Sequence, residues 1–260
     1  MRPTSLVGRN IVVTGGTQGI GAEIARDCAR AGASGICVTG RNAVNGAAMV
    51  AQLQQLGAKA VFVAAELGNA AEVSAIMPAA LAAFGHVDGL VNAAGITDRG
   101  HIEDTSIELW DRMMAVNVRA PFILTQALVR HLKAAKKPGS VVNIITRSSH
   151  GGQPFLTAYS TSKGALATLT KNNAHALRAA RIRVNGINIG WADTPGEHAI
   201  QARDGKPVGW LARAEPDQPF GRLIKPDDVA TLAVYLLSDA SQMMTGALID
   251  FDQNVMGAYD

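Results

Sequence analysis

Tyr159 and Lys163, in the stretch Tyr159-Ser160-Thr161-Ser162-Lys163, stand four residues apart, a spacing that puts both side chains on one face of a helix. An ammonium held near a phenol favours the phenolate. The pair therefore predicts a Tyr159 pKa lowered from about 10 toward the working range, as a general acid/base for an alcohol or carbonyl oxygen requires. A tyrosine and a lysine at this spacing are common by chance in helices. The hydroxyl-rich strand end Ile145-Thr146-Arg147-Ser148-Ser149, shortly before them, gives the pair its weight.

A second chemical signature is Ile11-Val12-Val13-Thr14-Gly15-Gly16-Thr17-Gln18-Gly19-Ile20-Gly21, where a β-branched run stops at glycines and Ala22-Glu23-Ile24-Ala25-Arg26 continues as helix. Strand, tight loop and helix N-terminus together present unpaired N–H groups and partial positive charge to an anion such as a pyrophosphate. The glycines turn the chain, admit the ligand and pack helix on strand, although Gly15, Gly19 and Gly21 depart from the generic Gly-x-Gly-x-x-Gly spacing. The end of the second strand, Thr39-Gly40-Arg41-Asn42, carries no acid to meet the ribose hydroxyls of NAD. Arg41 suits a 2′-phosphate, so NADP is the expected cofactor and NAD the alternative. Val91-Asn92-Ala93-Ala94-Gly95 ends a further strand in small residues that leave room for a flat adenine or ribose.

The elements that must hold these groups alternate. Short apolar runs predict strands at Ile11–Thr14, Gly35–Thr39, Ala60–Ala64, Gly89–Asn92, Ser140–Ile145, Arg183–Ile187 and Ala247–Asp250. Helical patterns fall near Ile20–Ala31, Val44–Leu56, Ala71–Phe84, Ile107–Leu132, Ala158–Ala180 and Pro226–Ser238. The expected fold is α/β: one doubly wound Rossmann-type domain over residues 1–260, a seven-stranded parallel sheet with helices on both faces. The stretch 191–221, with four prolines and two tryptophans, interrupts this rhythm and is expected to be a substrate-binding loop or lid.

Composition narrows the function classes. Twenty-four basic residues against 21 acidic ones give a net charge of only +3, and the basic residues are dispersed, so neither nucleic acid nor a membrane surface is an expected partner. Two cysteines, Cys28 and Cys37, are expected to be buried and reduced. No apolar run of 18 residues or signal-like N-terminus is present, which predicts a soluble cytoplasmic chain. No histidine pair has metal-ligand spacing, so no metal is expected.

Taken together and in this order, the glycine loop, Asn92-Ala93-Ala94-Gly95, Asn117, the hydroxyl cluster, Tyr159 and Lys163 resemble the short-chain dehydrogenase/reductase family, from about Ile11 to Asp250. The resemblance implies that Thr14, Gly15, Thr17, Gln18, Gly19, Ile20 and Gly21 surround the dinucleotide phosphates, with Arg41, Glu66, Leu67, Asn92, Ala93, Ala94 and Gly95 toward adenosine. It implies that Tyr159 exchanges the proton while Lys163 binds the nicotinamide ribose. Asn117 matches the asparagine that holds a water on the proton relay, and Gly190, Thr194 and Ile189 lie near the nicotinamide. A homotetramer built on the long helices after Ile107 and Ala158 is also implied.

The departures concern the substrate. Counting back thirteen residues from Tyr159 puts Thr146 where the family has a substrate-orienting serine, with Ser148 the alternative. Gln18 stands where NADP-preferring members often carry a basic residue, and Ile189 replaces the usual proline before Gly190. The tail Ile249-Asp250-Phe251-Asp252-Gln253-Asn254 replaces an Asp-Gly-Gly turn. Thr146, Ser148, His150, Gln153, Tyr159 and Trp191 are expected to contact substrate, with Arg147 and Asn188 also facing the pocket. That inventory suits a small polar alcohol or ketone, of a sugar or polyol. Two other readings stand beside it, a 3-oxoacyl thioester reductase and a non-catalytic dinucleotide-binding protein.

Overall fold

The structure is a computed structural model that describes residues 4–255. Seven strands, β1 (Asn10–Thr14), β2 (Gly35–Gly40), β3 (Lys59–Ala64), β4 (Gly89–Asn92), β5 (Gly139–Ile144), β6 (Ile182–Ile189) and β7 (Leu248–Phe251), form one sheet among the described residues. Their order is β3-β2-β1-β4-β5-β6-β7, and every pairing is parallel. Helices α1 (Gly19–Arg30), α2 (Ala43–Gln55) and α9 (Pro226–Leu237) cover one face; α3 (Ala70–Phe84), α5 (Ala120–Ala135) and α6 (Thr157–Leu177) cover the other.

The strands read as continuous apolar runs because successive side chains feed two different cores. Val13, Val38, Val91 and Val142 pack with Ile24, Leu53 and Ala233 on the first face, while Val12, Cys37, Leu90 and Val141 pack with Ile76, Leu124 and Leu128 on the second. β1 pairs with β2 on one side and β4 on the other, Thr14 standing opposite Asn92. The winding of the chain reverses between these two strands, so a crevice opens above their carboxyl ends.

Two expected elements differ. The single helix expected over Ile107–Leu132 is α4 (Ile107–Met114) and α5 separated by a π-helical turn at Ala115–Arg119. The wider turn buries Asn117 where α4, α5 and α6 converge. The stretch 191–221 is not irregular throughout, for it holds α7 (Pro195–Arg203) and α8 (Trp210–Ala214). Thr194 caps α7, its hydroxyl accepting from the Glu197 amide at 3.1 Å with Pro195 in the first turn.

Candidate active site

Above the carboxyl ends of β1 and β4 lies a cleft of about 730 Å³. One end is the glycine turn. Gly15 and Gly19 adopt φ of +64° and +54°, a region costly to residues with a Cβ. A Cβ on Gly21 would lie 2.4 Å from the Gly15 carbonyl oxygen, and one on Gly15 would lie 2.9 Å from Ala94 Cα. The chain therefore packs too closely here for any larger residue. The first bond into α1 runs from the Ala22 amide to the Gln18 carbonyl at 3.2 Å, and the first turn of α1 carries no acid. Such an open helix N-terminus suits a pyrophosphate. The Thr39 hydroxyl, which borders the cleft, is buried without a partner. This donor set fits a dinucleotide.

Gly15, Thr17, Gln18, Gly19, Ile20, Gly21, Arg41, Glu66, Leu67, Ala93, Ala94, Gly95, Gly190 and Thr194 all line the cleft, as do Thr146, Ser148, Gln153, Tyr159, Lys163 and Trp191. Arg41 is largely exposed and lies 3.5 Å from the Glu66 carboxylate, so a guanidinium and a carboxylate both border this end of the cleft.

Four expected site residues lie behind the wall instead of in it. The Thr14 hydroxyl accepts from the Ala93 and Ala94 amides at 3.1 and 3.2 Å and ties β1 to the end of β4. Asn92 donates to Asn143 Oδ1 at 2.8 Å. The Asn117 amide accepts from Ile96 N and donates to Ile96 O, Ser162 Oγ and Met113 Sδ, each at 3.0 Å. His150 is turned away to the Asp250 carboxylate at 3.0 Å, a partner that the altered tail brings within reach. Asn188 joins the same cluster, donating to Asp250 at 2.8 Å. Arg147 does border the cleft, but Asp252 holds it at 2.6 Å.

At the other end of the cleft, α6 delivers Tyr159 and Lys163 from successive turns, 9 % and 4 % exposed. Lys163 Nζ donates to the Ile144 carbonyl at 2.8 Å and lies 6.0 Å from the centre of the Tyr159 ring. The phenol of this pair is raised, not lowered as the spacing predicts. Burial pushes Tyr159 up to about 12, against the pull of the neighbouring Thr146 hydroxyl, and the Glu197 carboxylate adds to the rise. Burial likewise brings Lys163 down to about 8. Desolvation is the largest cause of both shifts because both groups sit out of water. Thr146 stands beside the phenol, whereas the Ser148 hydroxyl is turned to Gln153 Oε1.

The comparisons with known proteins agree with this geometry. A family model described as enoyl-(acyl carrier protein) reductase matches residues 15–253. The short-chain dehydrogenase/reductase FrzI of a Cladobotryum species is 34% identical over 251 residues, covering 95% of this chain and 96% of the relative. The chain is a short-chain dehydrogenase/reductase. Like its family it is an NAD(P)-dependent oxidoreductase acting on alcohols and ketones. The 5-keto-D-gluconate 5-reductase of Escherichia coli is 33% identical over 254 residues, 98% of both chains. A gluconate 5-dehydrogenase from Burkholderia cenocepacia, solved with NADP and tartrate, superposes with a TM-score of 0.88 at 28% identity, covering 99% of this chain and 98% of that one.

Several residues of this dehydrogenase/reductase cleft escape a reading of motifs. Asn42, Asn45, Arg99, Phe155, Glu197, Gln201 and Lys206 also line it. For Glu197 a local signal existed: Thr194-Pro195-Gly196-Glu197 is a helix-start pattern inside the stretch read as irregular. Asn42 belongs to the strand end Thr39-Gly40-Arg41-Asn42, and the remaining five belong to no motif. Among the described residues no cluster of three His, Cys, Asp or Glu side chains is arranged to hold a metal, and no helix is long and apolar enough to cross a membrane.

Proposed function

We propose that this short-chain dehydrogenase/reductase is NADP-linked and interconverts a secondary alcohol and a ketone on a small polar molecule of the sugar or polyol kind. The observation that carries the proposal is the buried triplet of Thr146, Tyr159 and Lys163 at one end of a cleft whose other end is an anion-binding glycine turn. NADP, when bound, supplies the hydride or accepts it. Thr146 orients the substrate oxygen through its hydroxyl. Tyr159 gives that oxygen a proton on reduction and takes it back on oxidation. The Lys163 ammonium, nearby in a dry site, offsets the cost of a transient phenolate. The exposed Arg41 guanidinium, which keeps further N–H donors beyond its 3.5 Å contact with Glu66, pairs with a 2′-phosphate.

The polar lining supports a hydroxyl-rich substrate, and the relatives named for gluconate chemistry support it also. Replacing Tyr159 with Phe is expected to abolish turnover while NADP binding, read by fluorescence titration, stays within a few-fold. Normal turnover by that variant overturns the assignment. A panel that pairs polyols and ketoses with acetoacetyl thioesters separates this reading from thioester reduction.

A homotetramer in the cytoplasm completes the proposal. Met114, Val118, Phe122 and Leu169 line a shallow apolar groove over α4, α5 and α6, with Phe122 exposed, and both cysteines are free and buried. A monomeric mass by light scattering overturns the assembly.

A further inference from the structure

The substrate end of the cleft carries fewer available cations than its sequence suggests. Arg147 borders it, but its Nη1 lies 2.6 Å from Asp252 Oδ2. Arg99 borders it too, and its Nη1 lies 2.6 Å from Asp204 Oδ2 while the guanidinium covers the Phe155 ring at 5.5 Å. Both guanidiniums are thus neutralised by carboxylates outside the cleft lining. Lys163 is committed beside the phenol with its Nζ on the Ile144 carbonyl at 2.8 Å, and Lys206 is an exposed rim charge in high dielectric, where an ion pair is worth little.

Against these stands one half-buried carboxylate, Glu197. Its Oε1 accepts from Trp191 Nε1 at 2.9 Å and from Gln201 Nε2 at 2.6 Å, and Gln201 is only 4 % exposed. The two donors fix the carboxylate's direction, and Trp191 is itself stacked on Trp210 with ring centres 5.6 Å apart. Among the described residues Oε2 meets no donor. The charge also reaches the catalytic phenol, since Glu197 contributes to the raised pKa of Tyr159. A lone acceptor oxygen, oriented and close to the reacting end, calls for a ligand that brings O–H groups.

We propose that the substrate is neutral, an uncharged polyol or ketose held through its hydroxyls by Glu197, and that carboxylated sugar acids are selected against at this position. The inference rests on the polar-alcohol reading above and narrows it. It also separates this chain from relatives named for gluconate and keto-gluconate, because a carboxylate brought beside Glu197 meets like charge with no uncommitted guanidinium to offset it.

The test uses the full chain loaded with NADP and follows quenching of tryptophan fluorescence, Trp191 being in the cleft. The probes are threitol and tartrate, which share a four-carbon skeleton and differ in having terminal alcohols or carboxylates. Threitol is expected to bind about tenfold more tightly or better, and Glu197→Gln is expected to shrink that preference by a similar factor. Tighter binding of tartrate by the wild-type protein overturns the inference, as does a preference that Glu197→Gln leaves unchanged. Strong tartrate binding that Lys206→Met removes would place an anion site at the rim and overturn it as well. A kinetic comparison of a ketohexose with its keto-aldonate keeps the two proposals apart. If threitol is preferred but no ketose is reduced, the polyol chemistry fails and the charge selection stands. Faster turnover of the keto-aldonate leaves the chemistry intact and sinks the selection.

Discussion

Arg147 Nη1 and Asp252 Oδ2 lie 2.6 Å apart, joining the turn after β5 to the tail after β7 across 105 residues of sequence. Asp252 is 4 % exposed at its side chain, and a Cβ on Gly190 would come within 2.1 Å of its Oδ1. The tail therefore fills the space under Gly190 and holds the turn that carries Thr146. On the outer side of that turn, His150 and Asn188 both bind Asp250. Gln253 extends the link, its Oε1 accepting from the Phe220 amide and its Nε2 donating to the Arg222 carbonyl at the end of the 191–221 segment.

Asp252→Asn leaves the Arg147 guanidinium without its countercharge. Arg147 keeps about a third of its side chain in water, so the expected loss of stability is about 1–3 kcal/mol, below the cost of breaking a fully buried pair. With Thr146 in its proposed role at the substrate oxygen, kcat is expected to fall roughly tenfold while the Kd for NADP holds. Arg147→Gln should act in the same way, and the double variant should cost less than the sum of the two. Additive losses in thermal melts and kinetics would show that the two side chains act independently.

Lys163→Met removes the ammonium 6.0 Å from the ring of a phenol that burial already pushes up to about 12. Without the ammonium the neutral phenol persists to still higher pH. In the proposed chemistry Tyr159 takes the proton on oxidation of the alcohol, so the alkaline-rising limb of kcat/KM against pH is expected to move to higher pH, with activity down by about a hundredfold or more. A limb that stays in place shows that Lys163 does not act on Tyr159.

His131 and His86 meet at the opposite end of the sheet, with Nε2 of His131 2.7 Å from Nδ1 of His86. Burial lowers the His131 pKa, the neighbouring His86 and Lys137 charges lower it further, and Asp88 opposes them. A histidine with a depressed folded pKa binds fewer protons than the unfolded chain. Its stabilising contribution is thus complete above the unfolded value of about 6.5 and is lost as pH falls through the lowered folded value. His131→Gln is expected to flatten the decline of the melting temperature below about pH 6.5. An unchanged decline assigns that acid sensitivity elsewhere.

Arg41→Ala removes the guanidinium at the ribose end of the cleft. KM for NADP is expected to rise about tenfold, the worth of one charge-assisted bond, while KM for NAD stays within twofold. Equal effects on both cofactors would mean that Arg41 does not read the 2′-phosphate.

Much of this was legible from local pattern. The strands, the glycine turn and the Tyr159–Lys163 pair each follow from residues within a few positions of one another, where period and turn chemistry decide. The π turn at Asn117 was not legible, because Ile96 and Ser162, the groups it serves, come from distant segments. Glu197 was hidden for a different reason: prolines and glycines around it masked a capped helix.

The chain by itself determined the order of strand and helix, the two-faced burial of the sheet and the shared helix face of Tyr159 and Lys163. These depend on spacings of two to four residues, which backbone geometry converts directly into direction. Only the tertiary structure decided which charges remain available. Arg147 and His150 are bound by Asp252 and Asp250, and the Tyr159 phenol is raised where its neighbour Lys163 alone would lower it. Desolvation and ion pairing depend on what the fold packs against a group, and in these two ion pairs the partners lie 105 and 100 residues apart in the chain.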